Sequence, residues 1–207
     1  MFITFEGIDF SGKSTQALLF YNHLKRYNKK AILLREPGGT IVSEKIRKIL
    51  LDKRLDNMTY LSEFLLFSAS RQQLTSEIIL PHLKKGYIVV CDRYYDSSTA
   101  YQGFGGKIEL KTVEIVNKIA SDGLVPDRTY LMNITLGDMA KRKSKQNERD
   151  RIEKRKADYY KKVIKGYLKI ASENKKRFLV LDAAESKALI HNKILEDFKK
   201  ISSHKKI

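Results

Sequence analysis

Short apolar runs alternate along the chain with segments whose apolar residues recur at helical spacing. Five runs have strand character: Phe2–Phe5, Ala31–Leu34, Tyr87–Cys91, Thr129–Ile134 and Phe178–Leu181. Each is nearly continuous in apolar residues rather than alternating with polar ones. That is the pattern of a parallel sheet covered on both faces. In Ala157–Asn174, the residues Ala157, Tyr160, Val163, Ile164, Tyr167, Leu168 and Ala171 follow the helical period. Val113, Val116, Ile119 and Ala120 do so after Leu110, and Ala17, Leu18, Leu19 and Leu24 after residue 12. Alternating β and α elements predict an α/β fold, a five-stranded parallel sheet with helices on both faces and right-handed crossovers.

One segment breaks the pattern. Lys141–Lys156 (KRKSKQNERDRIEKRK) lacks an apolar face, so it reads as a solvated helix or a charged lid. There is no internal repeat and no low-complexity linker, and 207 residues suit one domain with a small lid at about 141–156. The tail Ser202–Ile207 is expected to fray.

Composition adds mainly exclusions. An apolar content of 42% with 3 prolines is globular, not disordered. The single cysteine, Cys91, excludes an internal disulfide and a cysteine-based zinc site. No apolar run approaches the roughly 20 residues of a membrane helix. Met1–Phe5 stops at Glu6, too short for a secretory segment, so no membrane partner is expected and the expected compartment is the cytoplasm. The net charge of +17 changes little, because lysines are spread over the whole length with acids among them. A nucleic-acid partner is not expected from that distribution, although a small polyanion would be drawn to it.

The chemistry begins at Gly7-Ile8-Asp9-Phe10-Ser11-Gly12-Lys13-Ser14, which fits G-x-x-x-x-G-K-[ST] between an expected strand and an expected helix. Gly7 and Gly12 let the backbone wrap a phosphate, and the loop and helix N–H groups, through Thr15, point at it. Lys13 is placed to neutralise the β- and γ-phosphates of ATP, and Ser14 to offer its hydroxyl to Mg²⁺. Ile88-Val89-Val90-Cys91 ends in Asp92-Arg93, placing Asp92 near the same metal. Arginine rather than glutamate follows Asp92, which suits transfer to an acceptor better than activation of water. These motifs establish a nucleoside triphosphate binder and leave the second substrate open.

Further motifs occur in a specific order: Phe5-Glu6-Gly7-Ile8-Asp9, Arg35-Glu36-Pro37-Gly38-Gly39-Thr40, Phe67-Ser68-Ala69-Ser70-Arg71, Asp92-Arg93-Tyr94, Ala100-Tyr101-Gln102-Gly103 and Asp150-Arg151-Ile152-Glu153. Together they resemble the bacterial thymidylate kinases, P-loop nucleoside monophosphate kinases, from about residue 2 to Asp182. The resemblance implies phosphoryl transfer from ATP to dTMP, giving dTDP and ADP, with Mg²⁺ and a homodimer. It implies that Phe67 stacks on the thymine and Arg71 donates to a base carbonyl. Arg93 then bridges the two phosphates, Arg47 meets the acceptor phosphate, and Asp9 lies near the dTMP sugar and phosphate. Ser98 faces the base, Tyr101 lies under the sugar, where it favours deoxyribose, and Gln102 completes the pocket.

On the donor side the resemblance places Arg142 near the ATP adenine or phosphates. The family supplies its catalytic arginine from the lid; the closest lid positions here, Ser144 and Gln146, are not arginine, and Lys145 and Arg149 beside them are the candidate cations, with Arg151 in the lid motif. Phe10 departs from the family pattern, where glycine is usual. The helix carrying Phe64, Leu65 and Leu66 is the candidate dimer face. A phosphate monoester with a second pKa near about 6 is already dianionic at neutral pH. No general base is therefore sought among His23, His82, His191 and His204.

Overall fold

The computed structural model describes residues 1–143 and 150–204. The strands are β1 (Phe2–Glu6), β2 (Ala31–Arg35), β3 (Ile88–Asp92), β4 (Arg128–Asn133) and β5 (Phe178–Asp182). They form one sheet in the order β2-β3-β1-β4-β5, every neighbouring pair parallel. All five lie within a residue of the runs expected from the sequence.

The helices are α1 (Lys13–Arg26), α2 (Ile41–Leu51), α3 (Tyr60–Leu74), α4 (Leu80–Lys84), α5 (Tyr95–Ser98), α6 (Leu110–Ala120), α7 (Leu136–Lys143), α8 (Ala157–Glu173) and α9 (Lys187–His204). A π-helical stretch, Thr75–Ile79, joins α3 to α4, and a second, Thr99–Gly105, extends α5. The C-terminal helix runs through Ser202 and Ser203, so the expected fraying there is not observed, and residues 205–207 lie outside the described residues.

In β1, β3 and β4 the continuous apolar runs are explained by a sheet buried on both sides, whereas the edge strands β2 and β5 are partly exposed. Ile3 and Phe5 pack with Phe20 of α1 and Tyr130 on one face. Phe2, Val89 and Cys91 meet Leu74, Ile79 and Tyr94 on the other. Fully burying each such side chain stabilises by about 1.5–3 kcal/mol.

Helical periodicity was less reliable at single positions. Leu18, Leu168 and Ile119 are exposed, the last at 69%, because α6 instead buries Val113, Asn117 and Ala120. Phe64, expected at an interface, is wholly buried and points inward. The segment 141–156 is not wholly solvated: α7 claims its first residues, while Arg151 and Ile152 are buried.

Candidate active site

The phosphate loop leaves the carboxyl end of β1, in the middle of the sheet, where open α/β sheets bind ligands. Gly7 has φ of 141°, and a Cβ there would stand 2.7 Å from the Met132 carbonyl oxygen, so only glycine fits. Gly12 caps α1 with φ of 90° and no side-chain hydrogen bond. The first turn of α1 holds no acidic residue, so its free N–H groups and positive dipole end face the cleft.

One cavity of about 560 Å³ occupies this edge of the sheet. Asp9, Phe10, Gly12, Lys13, Ser14, Thr15 and Arg142 line it on the loop side. Arg47, Phe67, Arg71, Ser98, Tyr101 and Gln102 line it opposite, with Asp92 and Arg93 also on its wall. Three expected loop residues do not reach it. Gly7 does not line it, the Ser11 side chain is buried, and the Ile8 side chain is buried in the core. Arg149, with Ser144, Lys145 and Gln146, lies outside the described residues.

Arg93 is the hub of the cleft. It adopts φ of 72°, a strained conformation for a residue with a side chain. Its Nη1 donates to the Gly7 carbonyl at 2.9 Å, and its Nη2 pairs with Asp9 at 2.5 Å. Asp9 also accepts from the hydroxyls of Tyr101 (3.2 Å) and Tyr160 (3.3 Å), and Lys13 Nζ stands 3.8 Å away. Burial opposes the charged form of Asp9, but Arg93 and Lys13 together hold its carboxyl below the ordinary value. Burial also lowers Lys13, helped by the like charge of Arg93. Asp92 Oδ1 is buried with no hydrogen-bond partner among the described residues, on the same cavity as Ser14. A hard cation bound through oxygen or water would satisfy it, so the residues present fit Mg²⁺.

Arg71 is 1% exposed and fixed on three sides. Its Nη1 donates to Asn117 (2.9 Å), and its Nη2 reaches Ser98 Oγ (2.8 Å) and Glu36 (2.6 Å). Nε is left without a partner. Burial raises the Glu36 carboxyl to about 6, against the pull of Arg71. Phe67 lies one helical turn before Arg71, half-buried on the cavity wall. Gln102 and Tyr101 are carried by the π-helical stretch, a distortion often found where a helix must aim side chains at a site.

Arg47 donates to the Pro37 carbonyl at 2.9 Å. Arg142 donates to the loop carbonyls of Phe10 (3.1 Å) and Ser11 (3.4 Å), and to that of Ala183 (2.6 Å). Arg151, read as part of the lid motif, is not free in the cleft. It is paired with the buried Glu63, which also receives Arg155 and the Gln102 amide.

The family assignment rests on comparison with known proteins. The thymidylate kinase family pattern matches residues 5–194. The chain belongs to the thymidylate kinase family. A thymidylate kinase of Sulfurihydrogenibium sp. is 43% identical over 201 residues, covering 97% of this chain and 98% of that protein. One from Thermosipho africanus is 47% identical over 186 residues, covering 90% and 91%. The crystal structure of the Ehrlichia chaffeensis thymidylate kinase superposes with a TM-score of 0.78 at 33% identity, covering 96% of this chain and 98% of that one.

Within this fold, several residues at or beside the site carried no distinct signal in the sequence. Tyr160 and Tyr167 recur at helical spacing and read as core, yet their hydroxyls reach Asp9 and Ser97. Glu36 and Glu6 stand in recognised motifs without an evident role. Ile152, from the charged segment, contributes an apolar wall to the cavity.

Proposed function

We propose that this chain transfers the γ-phosphoryl group of ATP to dTMP, giving dTDP and ADP. The observation that carries the reading is one cavity with a phosphate cradle on one wall and Phe67, Arg71 and Tyr101 on the other. The loop N–H groups and Lys13 bind the ATP phosphates. Phe67 stacks on the thymine, and Arg71, held by Glu36, Ser98 and Asn117, has Nε available for a base carbonyl. A guanidinium only donates, which favours an acceptor such as a thymine carbonyl over the amino group of cytosine. Tyr101 packs under the sugar. Arg47 and Arg93 meet the acceptor phosphate.

Two polyanions must approach in line, so the work is positioning and charge compensation. Lys13, Arg93, Arg47 and Arg142 supply positive charge, and Ser14 and Asp92 would hold Mg²⁺. The metal, when bound, offsets charge on the transferring phosphoryl group. The acceptor is already dianionic, so no protein base is needed.

One domain carries both sites, with 141–156 as its lid and Arg149 as the lid cation. The protein acts as a homodimer. Ile41 and Ile49 of α2, Leu61 and Leu65 of α3, and Ile115 and Ile119 of α6 support this, since all are exposed on adjoining helices. The reaction belongs in the cytoplasm, with ATP as donor; no described helix is long and apolar enough to cross a membrane.

A coupled ADP-release assay with dTMP, dUMP, dCMP and thymidine tests the substrate. dTMP is expected to give the highest kcat/KM. A protein that ignored dTMP and worked on another acceptor would end this reading of the pocket.

A further inference from the structure

We propose that Glu6 is a positioning residue for phosphoryl transfer, whose carboxylate holds Arg93 turned into the cleft. This rests on the phosphoryl-transfer reading above and adds a residue that never touches either nucleotide.

Glu6 ends β1, directly before the phosphate loop, and is wholly buried. Its carboxylate accepts three hydrogen bonds: from the Tyr94 backbone N–H at 2.7 Å, Ser97 Oγ at 2.6 Å and the Tyr167 hydroxyl at 2.9 Å. Ser97 and Tyr167 are the same two hydroxyls that receive Arg93 Nη1, at 3.2 and 3.4 Å. With both hydroxyl protons given to Glu6, donation runs from guanidinium to hydroxyls to carboxylate; the two hydroxyls also stand 2.8 Å apart, where either can donate to the other. Each hydroxyl can accept from Arg93 because Glu6 takes its proton.

The backbone contact matters as much. Arg93 has φ of 72°, and such strain persists only where the surroundings over-determine it. The Arg93 N–H is held by the Phe5 carbonyl at 3.0 Å, and the next N–H, that of Tyr94, by Glu6. Successive residues of β1 thus clamp both amides of the strained turn. The strand that launches the phosphate loop also sets the direction of the arginine that must meet the phosphates.

Burial, and then the neighbouring Asp96, push the Glu6 carboxyl up to about 7, opposed by Ser97, Arg93 and the Tyr94 N–H. The other charged or titratable groups facing it are Lys13 from α1, Cys91 of β3, Tyr95 of α5, Tyr167 of α8 and Arg177 before β5. Arg177 is paired with Asp96, so the acid beside Glu6 is itself compensated.

The test is Glu6→Gln in the full chain, which keeps the shape but must turn an N–H toward at least one of three donors. At about pH 8, kcat is expected to fall by about fivefold or more while both KM values stay within about threefold. The melting temperature is expected to hold or rise, because a buried charge has been removed. The wild type is expected to show an acid limb in kcat near about pH 7 that the variant lacks. The limb from the acceptor phosphate, near about 6, remains in both. A kcat within fivefold of wild type, or a loss that tracks a lowered melting temperature, overturns the proposal. If Glu6→Gln does not fold, Ser97→Ala, which removes one bridge, is judged by the same thresholds. Should the enzyme prefer another acceptor, the comparison is run on that acceptor, so a wrong substrate and a wrong role for Glu6 give different results.

Discussion

At the scale of single residues, the site depends on a few side chains in costly conformations. Arg93→Ala removes the closest partner of Asp9 and a cation of the cleft wall, and kcat is expected to fall by about 100-fold or more with the circular dichroism unchanged. Phe10 sits at φ of 65° inside the phosphate loop, the reason glycine suits this position. Comparing Phe10→Gly with Phe10→Ala isolates the backbone, since both lack the ring. The glycine variant is expected to be about 1 kcal/mol more stable by urea denaturation. Phe67→Ala is expected to raise the KM for dTMP by about tenfold or more, from a stack worth roughly 1–3 kcal/mol, and to leave the KM for ATP nearly unchanged. Equal effects on both would remove the stack.

At the scale of elements, the acceptor wall is set by the packing of α8 against the π-helical stretch Thr99–Gly105. Gly166 of α8 lies against Phe104, and a Cβ there would stand 2.7 Å from the ring. Gly166→Ala is therefore expected to destabilise by about 1–3 kcal/mol, despite alanine's better helix propensity, measured by thermal unfolding. The same shift moves Tyr101 and Gln102, so the KM for dTMP should rise more than that for ATP. Glu63 of α3 ties Gln102 to Arg151 and Arg155, which explains why a motif read as lid is anchored at its root in the body of the protein.

At the scale of the whole molecule, buried carboxylates link stability to pH. Glu6 and Glu36 have raised pKa values in the fold, about 7 and about 6. The stability from a raised acid is full below its unfolded value and is lost as pH climbs through its folded value. Glu6 alone implies a loss of about 3 kcal/mol between roughly pH 4.5 and 7. Glu6→Gln should not show that loss, so its stability relative to wild type is expected to increase with pH in denaturant titrations. The proposed homodimer is tested by replacing Ile119 with arginine on the exposed face of α6, which is expected to shift sedimentation from dimer to monomer with the fold retained; a protein already monomeric overturns the proposal.

The five strands and the phosphate loop were legible in the chain because both are local: a short apolar run and fixed spacing dictate them whatever surrounds them. The motif order also picked out residues that the fold brings to one cavity wall, Arg47, Phe67, Arg71, Ser98, Tyr101 and Gln102. What the sequence did not disclose was partnership across distance. Tyr160 and Tyr167 belong to a helical apolar stripe, and nothing in the stripe says that their hydroxyls meet Asp9 and Ser97. Ile119 fits a helical period yet faces outward, because a period defines a face but not which neighbour covers it. The pairing of Glu6 with the turn after β3 joins residues about ninety positions apart and exists only because β1 and β3 lie side by side. Composition and spacing specify elements and their chemistry, whereas burial, strain and charge pairing are set by which elements come to touch.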